Sequence, residues 1–361
     1  MKNWDEMLFL EGKKAIQNHF RASKKVIFVL GKGFDKRTVR FLEMFTEIIS
    51  DMEVCLVDYS DSTVQRNEKN ELCSNENYRR IKEICRNLKL MEFKVPQYSG
   101  SNGNNTQRIS ESVKSAFNKD FFNKYDHLLI DVSAMPQSVG FSIIKRALDI
   151  QSDNQKLYIL VCENSEYDDK IMPVIVDDSA EYLQGFNTFS MDLIAEEDDV
   201  IWFPVLGKYE EQGFSNMAEF LKATEICPIV PFPAKDIRKS EDILRTYGNL
   251  LFDRYDIDKR NIIYVPEYYP KLISKKLYDT VCYYEKALVL GNNRTIQFAF
   301  SSQSSKLIDI GILLTVVKLI QEEKKAGIVV VENKDYNPTD SYNEADENLY
   351  CLCLDDSEFD W

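Results

Sequence analysis

Residues 26–45 read VIFVLGKGFDKRTVRFLEMF. Five apolar residues run into Gly31-Lys32-Gly33-Phe34-Asp35-Lys36-Arg37, and an amphipathic stretch follows. A continuous apolar run of this length is a strand buried on both faces, and the 3.6-residue spacing after it is a helix. Between a parallel strand and its helix lies the rim where open α/β sheets bind ligands. Two readings of the loop follow. In one, the glycines let the backbone approach a phosphate at a helix N-terminus, with Lys32, Lys36 or Arg37 adding charge. In the other, the glycines only make a turn and Asp35 caps the helix. The loop is neither a GxGxxG fingerprint nor a Walker loop.

Outward from this stretch the strand–helix alternation continues. EVCLVDYS, LMEFKVP, HLLIDVS and KLYILVCE read as strands, separated by the helical stretches YRRIKEICRNLK, ESVKSAFNKDFF and VGFSIIKRALDI. Strands alternating with helices of this length predict a parallel sheet covered on both faces. Residues 1–22 read as an N-terminal helix and 23–165 as a first Rossmann-like lobe. Residues 166–199 are polar and acidic and read as a connection, with a hairpin expected around MPVIVDD. Residues 200–335 repeat the alternation, from VIWFPVLG through CPIVPFP, NIIYVPE and TIQFAFS to AGIVVVE. Residues 336–361 form an acidic tail in which NLYCLCLDD is expected to add an edge strand, with the last residues loose.

The halves share wording. VIFVLGKG resembles VIWFPVLGK, and IDVSAMPQSVGFSIIKRAL resembles FSSQSSKLIDIGILLTVVKL. Ser133 and Ser304 stand 171 residues apart, as do Gly140 and Gly311. The expectation is α/β: two Rossmann-like parallel-sheet lobes, a pseudo-duplication of one unit.

The 361 residues include 44% hydrophobic side chains, enough for two cores, and carry a formal net charge of −14. That charge argues against a nonspecific nucleic-acid binder, which needs a basic face. The eight cysteines contain no CxxC pair and several lie in apolar runs, which points to a reducing cytoplasm. With two histidines, a histidine-rich metal site is not expected. The N-terminus is not a signal peptide, and the longest apolar run, GILLTVVKLI, is too short to span a bilayer. The chain is therefore expected to be cytoplasmic and free of membrane.

Further candidates lie at strand ends. Asp58, with Asp61 nearby, follows Gly33 by 25 residues, near the ~20 at which dinucleotide-binding domains place a ribose-binding acid, or is a solvated acid. Asp131 and Ser133 are polar on an oily strand; they face a cleft or cap the helix after Pro136. No GxSxG elbow is present, so a serine hydrolase is not expected. Ser304 and Lys306 lie in the matching loop of the second half, a phosphate cradle or a polar loop with an N-cap. Asn292-Asn293-Arg294 is a turn. The EYDDK and AEEDD clusters lack a cation-binding pattern. Tyr278, Tyr283 and Tyr284 alternate with lysines and either stack bases or pack their helix.

GFDKR after a first strand, together with IDVSAMP at a later one, resembles a group of two-lobed Rossmann-like bacterial proteins of antiphage defence loci. The loop at Ser304 and Lys306 is similar to those of CRISPR-associated Rossmann-type nucleotide sensors. The resemblance implies an accessory, sensor or adaptor subunit with protein partners or self-association in a defence complex. A nucleotide-type ligand would bind near Gly31, Lys32, Gly33, Phe34, Asp35, Arg37, Asp58, Asp131 and Ser133. The alternatives are a nucleotide- or NAD-cleaving effector, with Asp131 as acid/base and Arg37 as anion clamp, and a structural subunit without ligand.

Overall fold

The computed structural model describes residues 8–60, 67–95, 104–152, 154–168, 170–176, 179–188, 199–208, 210–289, 295–302, 304–337 and 342–354. The chain divides into two compact units. The first comprises residues 1–175 and 333–361, the second Val176–Glu332.

The first unit opens with β1 (Leu8–Glu11) and α1 (Lys13–Phe20). Then come β2 (Val26–Gly31), α2 (Arg40–Thr46), β3 (Met52–Asp58), α3 (Glu68–Ile84) and β4 (Lys89–Lys94). The helices α4 (Asn105–Ala116) and α5 (Lys119–Phe122) lead to β5 (His127–Asp131), α6 (Gln137–Ile150) and β6 (Lys156–Glu163). α7 (Ser165–Asp168) and β7 (Pro173–Val176) close this part of the chain. The second unit holds β8 (Glu181–Asn187), β9 (Asp199–Val205), α8 (Glu211–Leu221), β10 (Glu225–Ile226), β11 (Ile229–Pro231) and α9 (Lys239–Gly248). It continues with β12 (Ile263–Val265), α10 (Pro270–Val289), β13 (Ile296–Ser302), α11 (Lys306–Gln321) and β14 (Ala326–Val330). β15 (Asn333–Tyr336) and β16 (Asn348–Leu354) return to the first unit.

The first sheet runs β1-β16-β6-β5-β2-β3-β4. Its five strands from β4 to β6 are parallel, in the doubly wound order 3-2-1-4-5. β2 is buried along its whole length because it is central and covered on both faces. On one face Ile16, Phe20, Phe41, Phe45 and Ile81 pack against Phe28, Leu30 and Val54. On the other, α4 and α5 pack on α6, with Phe93, Phe117, Phe121 and Phe122 in edge and stacked contacts.

The second sheet runs β12-β11-β9-β13-β14-β8, and β10 pairs with β9. Its parallel strands again take the order 3-2-1-4-5, and an antiparallel strand, β8, lies beside the fifth. In the first sheet β16 lies antiparallel beside the fifth strand, β6. The two units are thus mixed α/β sheets of the same strand order, as the repeat in the sequence implies. α8 and α9 cover one face around Trp202, and α10 packs on α11.

Four expectations are corrected. The N-terminal segment is not helix alone: Leu8–Glu11 is a strand, paired antiparallel with β16. Among the described residues of MPVIVDD, the strand β7 pairs with β15 and not with a local return, so the expected hairpin is not formed there. The acidic connection contains β8, which joins the second sheet. Asn348–Leu354 of NLYCLCLDD is a strand, but not an edge, since β1 extends the sheet beyond it. The end of the tail, AEEDD apart from Asp199, Asp61 and the turn at residues 292–294 lie outside the described residues. All eight cysteines are free. Among the described residues, no helix is long and apolar enough to cross a membrane, and no group of three His, Cys, Asp or Glu side chains could hold a metal ion.

Candidate functional site

In the order 3-2-1-4-5 the connections turn in opposite directions from β2 and β5, and the crevice between their carboxyl ends is where such sheets take ligands. The loop after β2 and the loop after β5 line it. Gly31, Lys32, Gly33, Phe34, Asp35, Arg37, Asp58, Asp131 and Ser133 all belong to this end of the first sheet, so the structure brings these candidates together.

The glycines are explained by close packing. A Cβ at Gly31 would lie 2.8 Å from both Met135 Cγ and Tyr59 Cε1. At Gly33 it would lie 2.6 Å from the Tyr59 hydroxyl and 3.2 Å from the Ala134 carbonyl oxygen. The Tyr59 hydroxyl donates to that carbonyl at 2.9 Å, tying the end of β3 to the loop after β5 over the glycine loop. The Gly33 and Asp35 carbonyls both accept from Asn77 Nδ2 at 2.9 Å, so α3 braces the loop.

Asp35 caps the short 3-10 turn Lys36–Val39, accepting from the Arg37 amide at 2.8 Å. Its carboxylate also grips the Arg37 guanidinium at two points, Nε at 3.0 Å and Nη2 at 2.5 Å. The remaining guanidinium nitrogen, Nη1, reaches Asp168 at 2.8 Å, and the group lies 5.5 Å from the Tyr167 ring centre. Arg37 is 7% exposed and faces two carboxylates. An anion clamp made from it has to displace one of them. Lys32 Nζ meets Asp58 at 3.2 Å, and Asp58 also accepts from the Ser60 amide and hydroxyl. Burial raises the Asp58 carboxyl, but the Ser60 hydrogen bonds and the Lys32 ammonium outweigh it and hold it below its usual range.

Asp131 ends β5 at 3% exposure. Its Oδ1 accepts from the Ser133 amide at 3.0 Å and hydroxyl at 2.5 Å, while its Oδ2 is buried without a hydrogen-bond partner. Neither residue caps α6, whose N-cap is Pro136 with no side-chain cap, so the capping alternative does not hold. Burial pushes the Asp131 carboxyl up to about 7, against the pull of Ser133 and Arg37. Thr38 Oγ1 and Ser138 Oγ are also buried without partners. The Cys162 thiol is pushed up by burial and by Glu347, so it stays protonated.

The segment that returns from the second unit packs onto this rim. Asp335 accepts from the Asn67 amide at 2.8 Å and from Asn70 Nδ2 at 2.9 Å, at the start of α3. The Tyr336 ring lies 6.0 Å from Phe34, and Lys36 Nζ lies 5.9 Å from the Tyr342 ring centre. Tyr342 meets Tyr167 edge-on at 5.0 Å. Tyr59, Asn77, Tyr167, Asp168, Asp335 and Tyr342 were not candidates from the sequence. Tyr59, directly after Asp58 at a strand end, carried the only local signal.

Ser304 and Lys306 take the equivalent place in the second unit, after β13. There Ser305 caps α11, accepting from the Ile308 amide at 3.4 Å, and Lys306 Nζ lies 3.9 Å from Asp309. Tyr278 donates to Glu322 and Tyr284 meets Cys227, so both pack α10, while Tyr283 is exposed.

No protein-family model matches the chain, and no curated protein sequence matches it. Among solved structures, a protein assigned as a universal stress protein from Pseudomonas aeruginosa UCBPP-PA14 is 9% identical, with 86% of this chain and 94% of that one covered and a TM-score of 0.24. Phosphoethanolamine N-methyltransferase 2 of Haemonchus contortus is 10% identical, covering 97% and 52%, with a TM-score of 0.24. UDP-GlcNAc 2-epimerase of Neisseria meningitidis is 10% identical, covering 82% and 91%, with a TM-score of 0.23. At these scores the fold rests on the strand order and not on the matches.

Proposed function

We propose that this protein is a sensor or adaptor subunit of a bacterial antiphage defence complex, and that it binds a nucleotide-type ligand at the carboxyl ends of β2 and β5. The observation that carries the ligand site is Asp131 Oδ2, a buried carboxylate oxygen without a partner at the crevice of a doubly wound sheet. An orphaned buried acceptor costs roughly 1–3 kcal/mol, and a ligand hydroxyl or amine donating to it offsets that cost. The defence context rests on the GFDKR and IDVSAMP resemblance alone.

A second reading, a nucleotide-cleaving effector, is favoured by one feature. A buried carboxyl pushed up to about 7 is poised for general acid/base work at neutral pH. Thermal-shift titration with NAD, ATP, GTP, ADP-ribose and cyclic oligonucleotides tests the site. A ligand at 100 times its dissociation constant adds about 2.7 kcal/mol, and Asp131→Asn should abolish the shift. Turnover of a shifted ligand would favour the effector. No shift from any of them would overturn the ligand site.

A further inference from the structure

The two units place the same two residue types at the same two positions, in exchanged order. Asp131 is the last residue of β5 and Ser302 the last of β13, 171 residues later. Ser138 lies in the first turn of α6 and Asp309 in that of α11, again 171 residues apart. Ser133 and Ser304, and Gly140 and Gly311, keep the same spacing, so the exchange falls within one continuous correspondence.

All four side chains are nine-tenths buried or more, at 3% and 0% exposure in the first unit and 7% and 4% in the second. Each contributes an atom without a hydrogen-bond partner: Asp131 Oδ2, Ser138 Oγ, Ser302 Oγ and Asp309 Oδ1. A buried polar atom without a partner is costly, so each such position calls for an explanation. Here both units keep one acid and one hydroxyl at the two sites, although the acid has changed sides.

The surroundings in the second unit suit a ligand of defined chemistry. Trp202 Nε1 donates to Ser301 Oγ at 3.0 Å, so that hydroxyl is engaged while its neighbour on Ser302 is not. Ser302 Oγ stands beside the Asp309 carboxyl without closing a hydrogen bond to it, and burial pushes that carboxyl up to about 6 against the pull of Lys306 and of the nearby hydroxyl. α11 has 16 residues, and Lys306 at its first position is partly exposed. Its amide end and that ammonium together favour an anion.

We propose that the carboxyl end of β13 is a second ligand site, in which Asp309 and Ser302 hold a sugar hydroxyl while Lys306 and the first turn of α11 face a phosphoryl group. One hydroxyl satisfies both orphans, donating to Asp309 Oδ1 and accepting from Ser302 Oγ. The ligand class, a phosphorylated ribose, rests on the reading of the first unit.

Calorimetric titration of the full chain with ADP-ribose tests this, with ATP as a second probe. Two equivalents are expected. Asp309→Asn should weaken one of them by about tenfold or more, the cost of one unpaired hydrogen bond in a buried site. Ser302→Ala should do the same, and carries the test if Asp309→Asn unfolds the chain. The double exchange Ser302→Asp with Asp309→Ser rebuilds the first unit's arrangement and should restore binding. A single equivalent lost with Asp131→Asn and untouched by Asp309→Asn or Ser302→Ala overturns the second site and leaves the first standing. A single equivalent lost only with Asp309→Asn does the reverse. Two equivalents indifferent to the second-unit variants overturn it, and no binding of either probe overturns both sites.

Discussion

The Ser133 hydroxyl donates to Asp131 Oδ1 at 2.5 Å while accepting from the Cys162 amide at 2.8 Å. Ser133 thereby spends its proton on one carboxylate oxygen and leaves the other, Oδ2, bare in the interior. The carboxyl is raised from an unperturbed value near 4 to about 7 by burial. The folded chain therefore binds a proton at Asp131 that the unfolded chain has released. Between about pH 4 and pH 7 this group costs stability as pH rises, on the order of 4 kcal/mol once fully ionised. Asp309, raised to about 6, adds in the same direction. Melting temperature against pH should fall from pH 5 to pH 8, and Asp131→Asn should flatten that slope. An Asp131→Asn profile parallel to the wild type would contradict a buried, proton-sharing carboxyl.

Arg37 supplies the second expectation. Its guanidinium answers two carboxylates, and Asp35 is as buried as the arginine itself. Arg37→Ala leaves Asp35 charged and unpaired, a change that costs about 3–5 kcal/mol when a buried pair is broken from one side. The double variant Asp35→Asn with Arg37→Ala should cost less than Arg37→Ala alone. Lysine cannot reproduce the two-point grip, so Arg37→Lys should recover only part of the loss. Urea unfolding of the four proteins reads these differences directly. An Arg37→Ala protein as stable as the wild type would show the pair to be incidental.

The central strand and its loop were legible because their signal is local. VIFVLG is apolar at every position, so it is buried on both faces, and Gly31 marks its end. Asp131 and Ser133 stood out for the same reason, as polar groups on an oily strand. What failed depended on partners far along the chain. LFLE is four residues between acids and lysines, and it is a strand because β16 pairs with it. The alternation in MPVIVDD gives a strand but not its partner, and the partner is β15 rather than a local return. The brace from Asn77, the Asp168 contact and the cover from Tyr336 and Tyr342 reach the loop from other parts of the chain. No spacing within 31–37 announces them.

Gly33 separates the turn from the packing reading. Its backbone does not need the left-handed region, yet a Cβ would sit 2.6 Å from the Tyr59 hydroxyl. Gly33→Ala should destabilise by roughly 1–3 kcal/mol, the usual cost of overpacking an interior contact. Removing the obstructing oxygen with Tyr59→Phe should recover part of that loss, although the Ala134 carbonyl oxygen remains 3.2 Å away. A denaturant midpoint for Gly33→Ala equal to the wild type, or a double variant no better than the single, would contradict the contact.

Asp335 holds the returning segment at the start of α3. Its two oxygens accept from the Asn67 amide and from Asn70 Nδ2, and Asn70 Nδ2 also donates to the Tyr336 carbonyl at 2.7 Å. Asp335 is 7% exposed, so water replaces little of this when the carboxylate is removed. A carboxylate at a helix N-terminus also gains from the partial positive charge there. Asp335→Ala should therefore cost about 1–3 kcal/mol, through unpaired buried donors. Asp335→Asn should cost less than alanine, because the amide oxygen still accepts one bond, and more than nothing, because the amide nitrogen faces a donor. Hydrogen exchange should show the change in two places at once, the amides of residues 333–336 and the first turn of α3. Faster exchange at the helix start with residues 333–336 unchanged would mean that Asp335 caps the helix without anchoring the strand.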